Sequence, residues 1–184
     1  MNAWTQLTDK HEERKIWDKF NVTFSFNPNI KGPAIKAPTP SLTFDLMPFH
    51  NQGLSNSVSD PLVNDFHAFA FRCLRKSIPG GDFFYVLNFS SATYKFYPHA
   101  EGFDPKDINA WEMPILPVKG KYAHAPFECY AFWNPSHSAG IFVDMCMEMT
   151  IFGEGLLEEM NRQRINPLIR KIKRRNGKLV IKDE

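Results

Sequence analysis

Cysteine is scarce in this chain: Cys73, Cys129 and Cys146 are an odd number without close spacing. That excludes a disulfide framework and a CxxC metal or redox pair, and it predicts a reducing, cytoplasmic home. Long apolar stretches are missing as well. Nowhere do about 18 apolar residues run together, the length a membrane-spanning helix needs. The opening MNAWTQLTDKHEERK is polar and charged where a secretory signal would be apolar, so neither export nor membrane insertion is expected. Glycine is sparse, and its one cluster, Pro79-Gly80-Gly81, precedes a strand pattern rather than a helix. A phosphate-binding loop of the usual kinds therefore has no support. Neither a GxSxG elbow nor an HExxH pair occurs, which leaves hydrolase and zincin readings without a motif.

What the chain does have is phenylalanine. Seventeen Phe in 184 residues predict an aromatic core, and aromatic runs favour sheet over helical bundle. A chain of this length is near the usual size of one domain, and no repeat or composition break divides it. The expectation is a single α+β domain over residues 1–184, mainly antiparallel sheet, with an N-terminal helix, one central helix and C-terminal helical segments.

Charge is unevenly placed. Residues 162–184 hold nine Lys+Arg against Asp183 and Glu184, a surplus of +7 that leaves −5 for residues 1–161 of a chain with net charge +2. An acidic body carries a basic tail.

Along the chain, Thr8 to Phe20 reads as a short amphipathic helix. Phe20, Val22, Phe24 and Phe26 then alternate with polar residues, the pattern of a strand with one apolar face. Four prolines between Pro28 and Pro40 predict an extended connection. Leu42, Phe44 and Leu46 alternate as a further strand. Asp60-Pro61 supplies a cap and a first-turn proline for the central helix, Asp60 to Lys76, with Leu62, Phe66, Phe69, Ala70 and Cys73 on its apolar face.

Pro79-Gly80-Gly81-Asp82 reads as a turn into DFFYVLNF and ATYKFYP, two adjacent antiparallel strands. Trp111 to Val118 contains Pro114 and Pro117 and fits only an edge. FECYAFW, GIFVDM and EMTIF have the spacing of a meander, and EGLLEEMNRQ has helical propensity. In the tail, Asn166-Pro167 and the spacing of Leu168, Ile169 and Ile172 favour a helix. The competing reading makes Asn176-Gly177 a hairpin turn between basic strands.

For chemistry, the histidines at 11, 50, 67, 99, 124 and 137 are scattered. Convergence of His99, His124 or His137 with Asp144 or Glu148 would make an acid-base or metal site, but solvated or capping roles are preferred, so no cofactor, metal or catalytic residue is assigned. Cys129 and Cys146 fall in apolar strand patterns and read as small hydrophobes. The carboxylates Asp82, Glu128, Asp144 and Glu148 lie within or beside aromatic strands, where they must pair, protonate or face water.

The stretches DFFYVLNFSSATYKFYPH, ECYAFW and EMTIFGEGLLEEM together resemble a bacterial family of uncharacterised domains, domain of unknown function 2716. With WDKFNVTFSFNP and APTPSLTFDL the resemblance covers most of the chain. Where the family pattern has an Asp-Trp-x-His run, this chain has Asn88, Phe89 and Ser91, whereas Glu148 is retained. The resemblance implies one α+β domain and supplies no activity.

The functional expectation is a non-enzymatic cytoplasmic protein that binds another protein, for example an immunity protein neutralising a basic toxin. Glu128, Trp133, Asp144 and Glu148 are the expected contact residues. Two alternatives are a small hydrolase or transferase using His and carboxylate groups, and nucleic-acid binding through the basic tail. For that tail, a solvated helix face, or docking against the acidic body or an acidic partner protein, is preferred over nucleic acid, because the body is acidic and the tail carries no interleaved aromatics.

Overall fold

A computed structural model describes residues 3–25, 36–45, 70–88, 93–104, 130–143, 148–162, 170–175 and 178–182. The predicted strand at Phe26, the segments 28–35, 60–69 and 111–118, and Cys129 and Cys146 lie outside them.

Nine antiparallel strands form one sheet: β1 Trp4–Gln6, β2 Ser41–Asp45, β3 Phe84–Asn88, β4 Thr93–Phe96, β5 Tyr130–Trp133, β6 Gly140–Val143, β7 Glu148–Phe152, β8 Arg170–Arg175 and β9 Lys178–Lys182. Their order across the sheet is β1-β4-β3-β5-β6-β7-β2-β8-β9. Among the described residues three helices accompany them, α1 over Lys10–Phe24, α2 over residues 70–77 and α3 over Glu154–Arg162. This is a single α+β domain, as the alternating aromatic runs imply.

The predicted pairs at DFFYVLNF and ATYKFYP are β3 and β4, in register from Phe84 opposite Phe96 to Leu87 opposite Thr93. The meander is β5-β6-β7, and the turn at residues 79–82 closes with Asp82 N–H donating to the Pro79 carbonyl at 3.3 Å.

Side chains leave each strand alternately, so the sheet has two apolar faces. Phe84, Val86, Phe132, Ile141, Val143, Met149, Ile151 and Phe44 share one cluster with Phe71 and Leu74 of α2 and Leu156, Leu157 and Met160 of α3. Leu87, Ala131, Trp133, Phe142 and Phe152 share the other with Ile16, Phe20 and Phe24 of α1. Gly140 lies where the second face is tightest: a Cβ there would sit 2.6 Å from the Phe152 ring.

Helix α1 corrects the predicted strand over residues 20–24. Asp9 caps it, accepting from the N–H groups of His11 at 2.8 Å and Glu12 at 3.3 Å. Those donors hold the Asp9 carboxyl below its usual pKa. Glu12 and Glu13 follow in the first turn, where the helix dipole favours acid. Phe20 and Phe24 are two steps apart in a strand's period but also four residues apart, and with Ile16 they make a buried helical stripe. Val22 decides between the two: it would share their strand face, yet it is 82% exposed. Ser25, left-handed at φ 47°, ends the helix, and Lys36 N–H donates to the Phe24 carbonyl at 2.7 Å.

The tail is the second correction. Its preferred helix is replaced by a hairpin, with β8 pairing β2 on one side and β9 on the other. Asn176-Gly177 stands between β8, whose single apolar residue is Ile172, and β9, whose centre is Leu179-Val180-Ile181, and the hairpin signal of that dipeptide prevails over the capping signal at Asn166-Pro167. The other helix predicted near the C-terminus, EGLLEEMNRQ, is α3. It starts after Gly153, whose φ of 103° suits glycine.

Candidate functional site: the charged wing of the sheet

Polar groups gather where β7, β2 and β8 lie side by side. Thr43 and Thr150 face each other and share a hydroxyl hydrogen bond at 3.1 Å. Two residues further along, Asp45 stands opposite Glu148, and both are buried. Directly opposed residues have Cβ atoms about 4.5–5.5 Å apart. Two carboxylates so close in a low-dielectric setting require compensating charge or hydrogen bonds. The register places Arg170 of β8 opposite Asp45 on its other side. One row across three strands therefore reads Glu148, Asp45, Arg170.

Beyond it every charged residue of the two strands β8 and β9 is a cation. Residues 170–182 contain Arg170, Lys171, Lys173, Arg174, Arg175, Lys178 and Lys182, and no acid. The register runs from Ile172 opposite Lys182 to Arg175 opposite Lys178, with an irregularity between Lys173 and Arg174. Among the described residues β9 ends the sheet, so one of its edges pairs with no strand.

Of the expected contact residues, the two that are described, Trp133 and Glu148, are not brought together. Glu128 and Asp144 lie outside the described residues. Trp133 is 1% exposed, its ring 4.8 Å from Phe20 and 5.6 Å from Tyr85, so it packs the core and does not reach a partner. Glu148 is buried on the same face, but at the other end of the strands. Trp133 pairs with Gly140, Gly140 with Phe152, and Glu148 is four residues from Phe152, roughly 13 Å along the strand.

His137 and His99 are at the Trp133 end too. His137 occupies the β5–β6 turn at φ 59°, 5.9 Å from the Phe24 ring. Burial, helped by the nearby Lys19, lowers its pKa. Asn134 fixes this turn: its side-chain carbonyl accepts from the Ser138 and Ala139 N–H groups at 2.9 and 3.0 Å. A ring nitrogen of His99 lies 3.0 Å from the Ile78 carbonyl, and His99 follows β4 just past Phe96, at the same end of the sheet. His124 is outside the described residues. The strand register thus separates His99 and His137 from Glu148.

Among the described residues no group of three or more His, Cys, Asp and Glu side chains is arranged to hold a metal ion, and no helix is long and apolar enough to cross a membrane. Cys73 is a free, buried thiol, pushed up to about 12 chiefly by burial and secondarily by Glu159.

The family model described as "Protein of unknown function (DUF2716)" matches residues 6–157. The chain belongs to this family. The DUF2716 match runs from β1 into α3 and stops before β8, so the cationic hairpin lies outside the matched residues. No curated protein and no solved structure matches the chain.

The Asp45–Glu148 register was beyond sequence reasoning because it needs the pairing of strands 107 residues apart, a separation seen in the Thr43–Thr150 bond. The Asn176-Gly177 dipeptide was the available signal for the hairpin.

Proposed function

We propose that this domain acts by binding another protein, without chemical turnover, and that it does so in the cytoplasm, in the manner of an immunity protein that neutralises a toxin. The observation that carries this reading is the cationic hairpin. Seven cations without an acid occupy two strands at the end of a sheet whose central strands pack on both faces. Concentrated charge of one sign serves partner selection and encounter rate more than it serves the fold. The partner surface is therefore acidic, in contrast to a basic toxin held by Glu128, Trp133, Asp144 and Glu148. Trp133 and Glu148 are buried and lend that arrangement no support. The free Cys73 thiol fits a reducing compartment.

The test is affinity capture of the full chain from its native host, followed by reconstitution of the complex from the purified partner. A stoichiometric complex with an acidic protein is expected. Recovery of no partner, or measurable turnover of a small-molecule substrate, would contradict the reading.

A further inference from the structure

We infer that β9 is a strand-addition site, taking an extended acidic segment of a partner protein along the edge of the sheet that pairs with no strand among the described residues. The inference rests on the protein-binding reading and names its surface. Strand addition draws affinity from main-chain hydrogen bonds and specificity from alternate side chains. An edge strand supplies the first through its unpaired N–H and C=O groups. The sequence of β9, Lys178-Leu179-Val180-Ile181-Lys182, supplies the second: an apolar, strand-forming centre flanked by two cations.

Charge selects among three occupants. A second copy of this chain, pairing β9 antiparallel about Val180, would set Lys178 opposite Lys182 of the other copy, and like charges directly opposed are destabilising. Nucleic acid would welcome the cations, but residues 163–184 contain no aromatic on which bases stack, and phosphate contacts leave Leu179, Val180 and Ile181 without a role. An extended peptide with acidic residues spaced to meet Lys178 and Lys182, and apolar or β-branched residues between them, satisfies both the cations and the apolar centre.

The test uses the full chain and three probes: the peptides Glu-Val-Thr-Val-Glu and Lys-Val-Thr-Val-Lys, and a 16-base-pair DNA duplex. Backbone amide shifts are followed by NMR. The acidic peptide is expected to shift the amides of 178–182, with the basic peptide binding at least about tenfold more weakly. The variant K178E/K182E should reverse that preference, and K178Q/K182Q should weaken it while cross-strand amide exchange between β8 and β9 confirms that the hairpin still forms. Equal binding of both peptides, tighter binding of the duplex at the same amides, or a dimer that K178E/K182E dissolves would each overturn the inference. So would a host partner captured undiminished by K178E/K182E, which would leave the protein-binding reading intact. Peptide binding as expected, with no partner recovered from the host, would uphold the edge site and overturn that reading instead.

Discussion

Asp45 and Glu148 face each other across β2 and β7, both buried, with Arg170 in register on the outer side of Asp45. This row joins the part of the sheet matched by the family to the hairpin that follows it. Asp45→Asn keeps the shape and removes the charge next to the cationic strand. A cross-strand pair of opposite charge contributes roughly 0.2–1 kcal/mol, so the variant should raise exchange of the 170–175 amides a fewfold and leave β3–β5 unchanged. Uniform acceleration across the whole sheet would mean that Asp45 supports the core rather than the wing.

Helix α1 is tested by two substitutions that a strand would rank together. Phe24→Ala removes a fully buried ring and should cost about 3–5 kcal/mol, whereas Val22→Asp on the solvent side should stay within about 0.5 kcal/mol. Urea unfolding of both gives the contrast. Equal losses would return residues 20–24 to a strand.

Gly140→Ala places a methyl against the Phe152 ring and the Phe132 backbone. Overpacking of this kind costs about 1–3 kcal/mol, read as a lowered midpoint of thermal unfolding. Gly80→Ala, with open space around it, is the control and should be near neutral.

Glu13 ties α1 to β4. Its carboxylate accepts from Lys10 at 2.7 Å and from Thr93 N–H at 3.2 Å, and the Lys10 hydrogen bond is the larger cause of its lowered pKa, with burial opposing. A carboxyl with a lower pKa folded than unfolded stabilises the fold above the unfolded value. That contribution is lost as pH falls through the folded one. Glu13→Gln should therefore be less stable than the parent at neutral pH, and the difference should shrink on acidification. Because Lys10 is exposed, added salt should narrow the gap without closing it. A difference that grows as pH falls would contradict this account.

Much of this architecture is legible from residue order, and the failures have physical causes. β3, β4 and the β5–β6–β7 meander follow from short aromatic and β-branched runs with turn residues between them. The spacing of Phe20 and Phe24 satisfies a period of two and a period of 3.6 alike, and only the exposure of Val22 separates them. In the tail the helix opening at Asn166-Pro167 competed with the hairpin signal at Asn176-Gly177, and the hairpin, paired to β2, prevailed. Trp133 and Glu148 look like contact residues in sequence because nothing in a strand pattern says whether its second face is wet. Here α1 closes that face over Trp133, and Glu148 is buried at its other end.

The account turns on where the basic segment lies. Cross-strand nuclear Overhauser effects between the backbone protons of residues 43–45 and 170–172 measure this most directly. The register predicts contacts between Thr43 and Ile172 and between Asp45 and Arg170, continuing into β9 through Ile172 and Lys182. Sequential helical contacts three residues apart through 168–175, with none to β2, would detach the wing from the sheet and contradict the account.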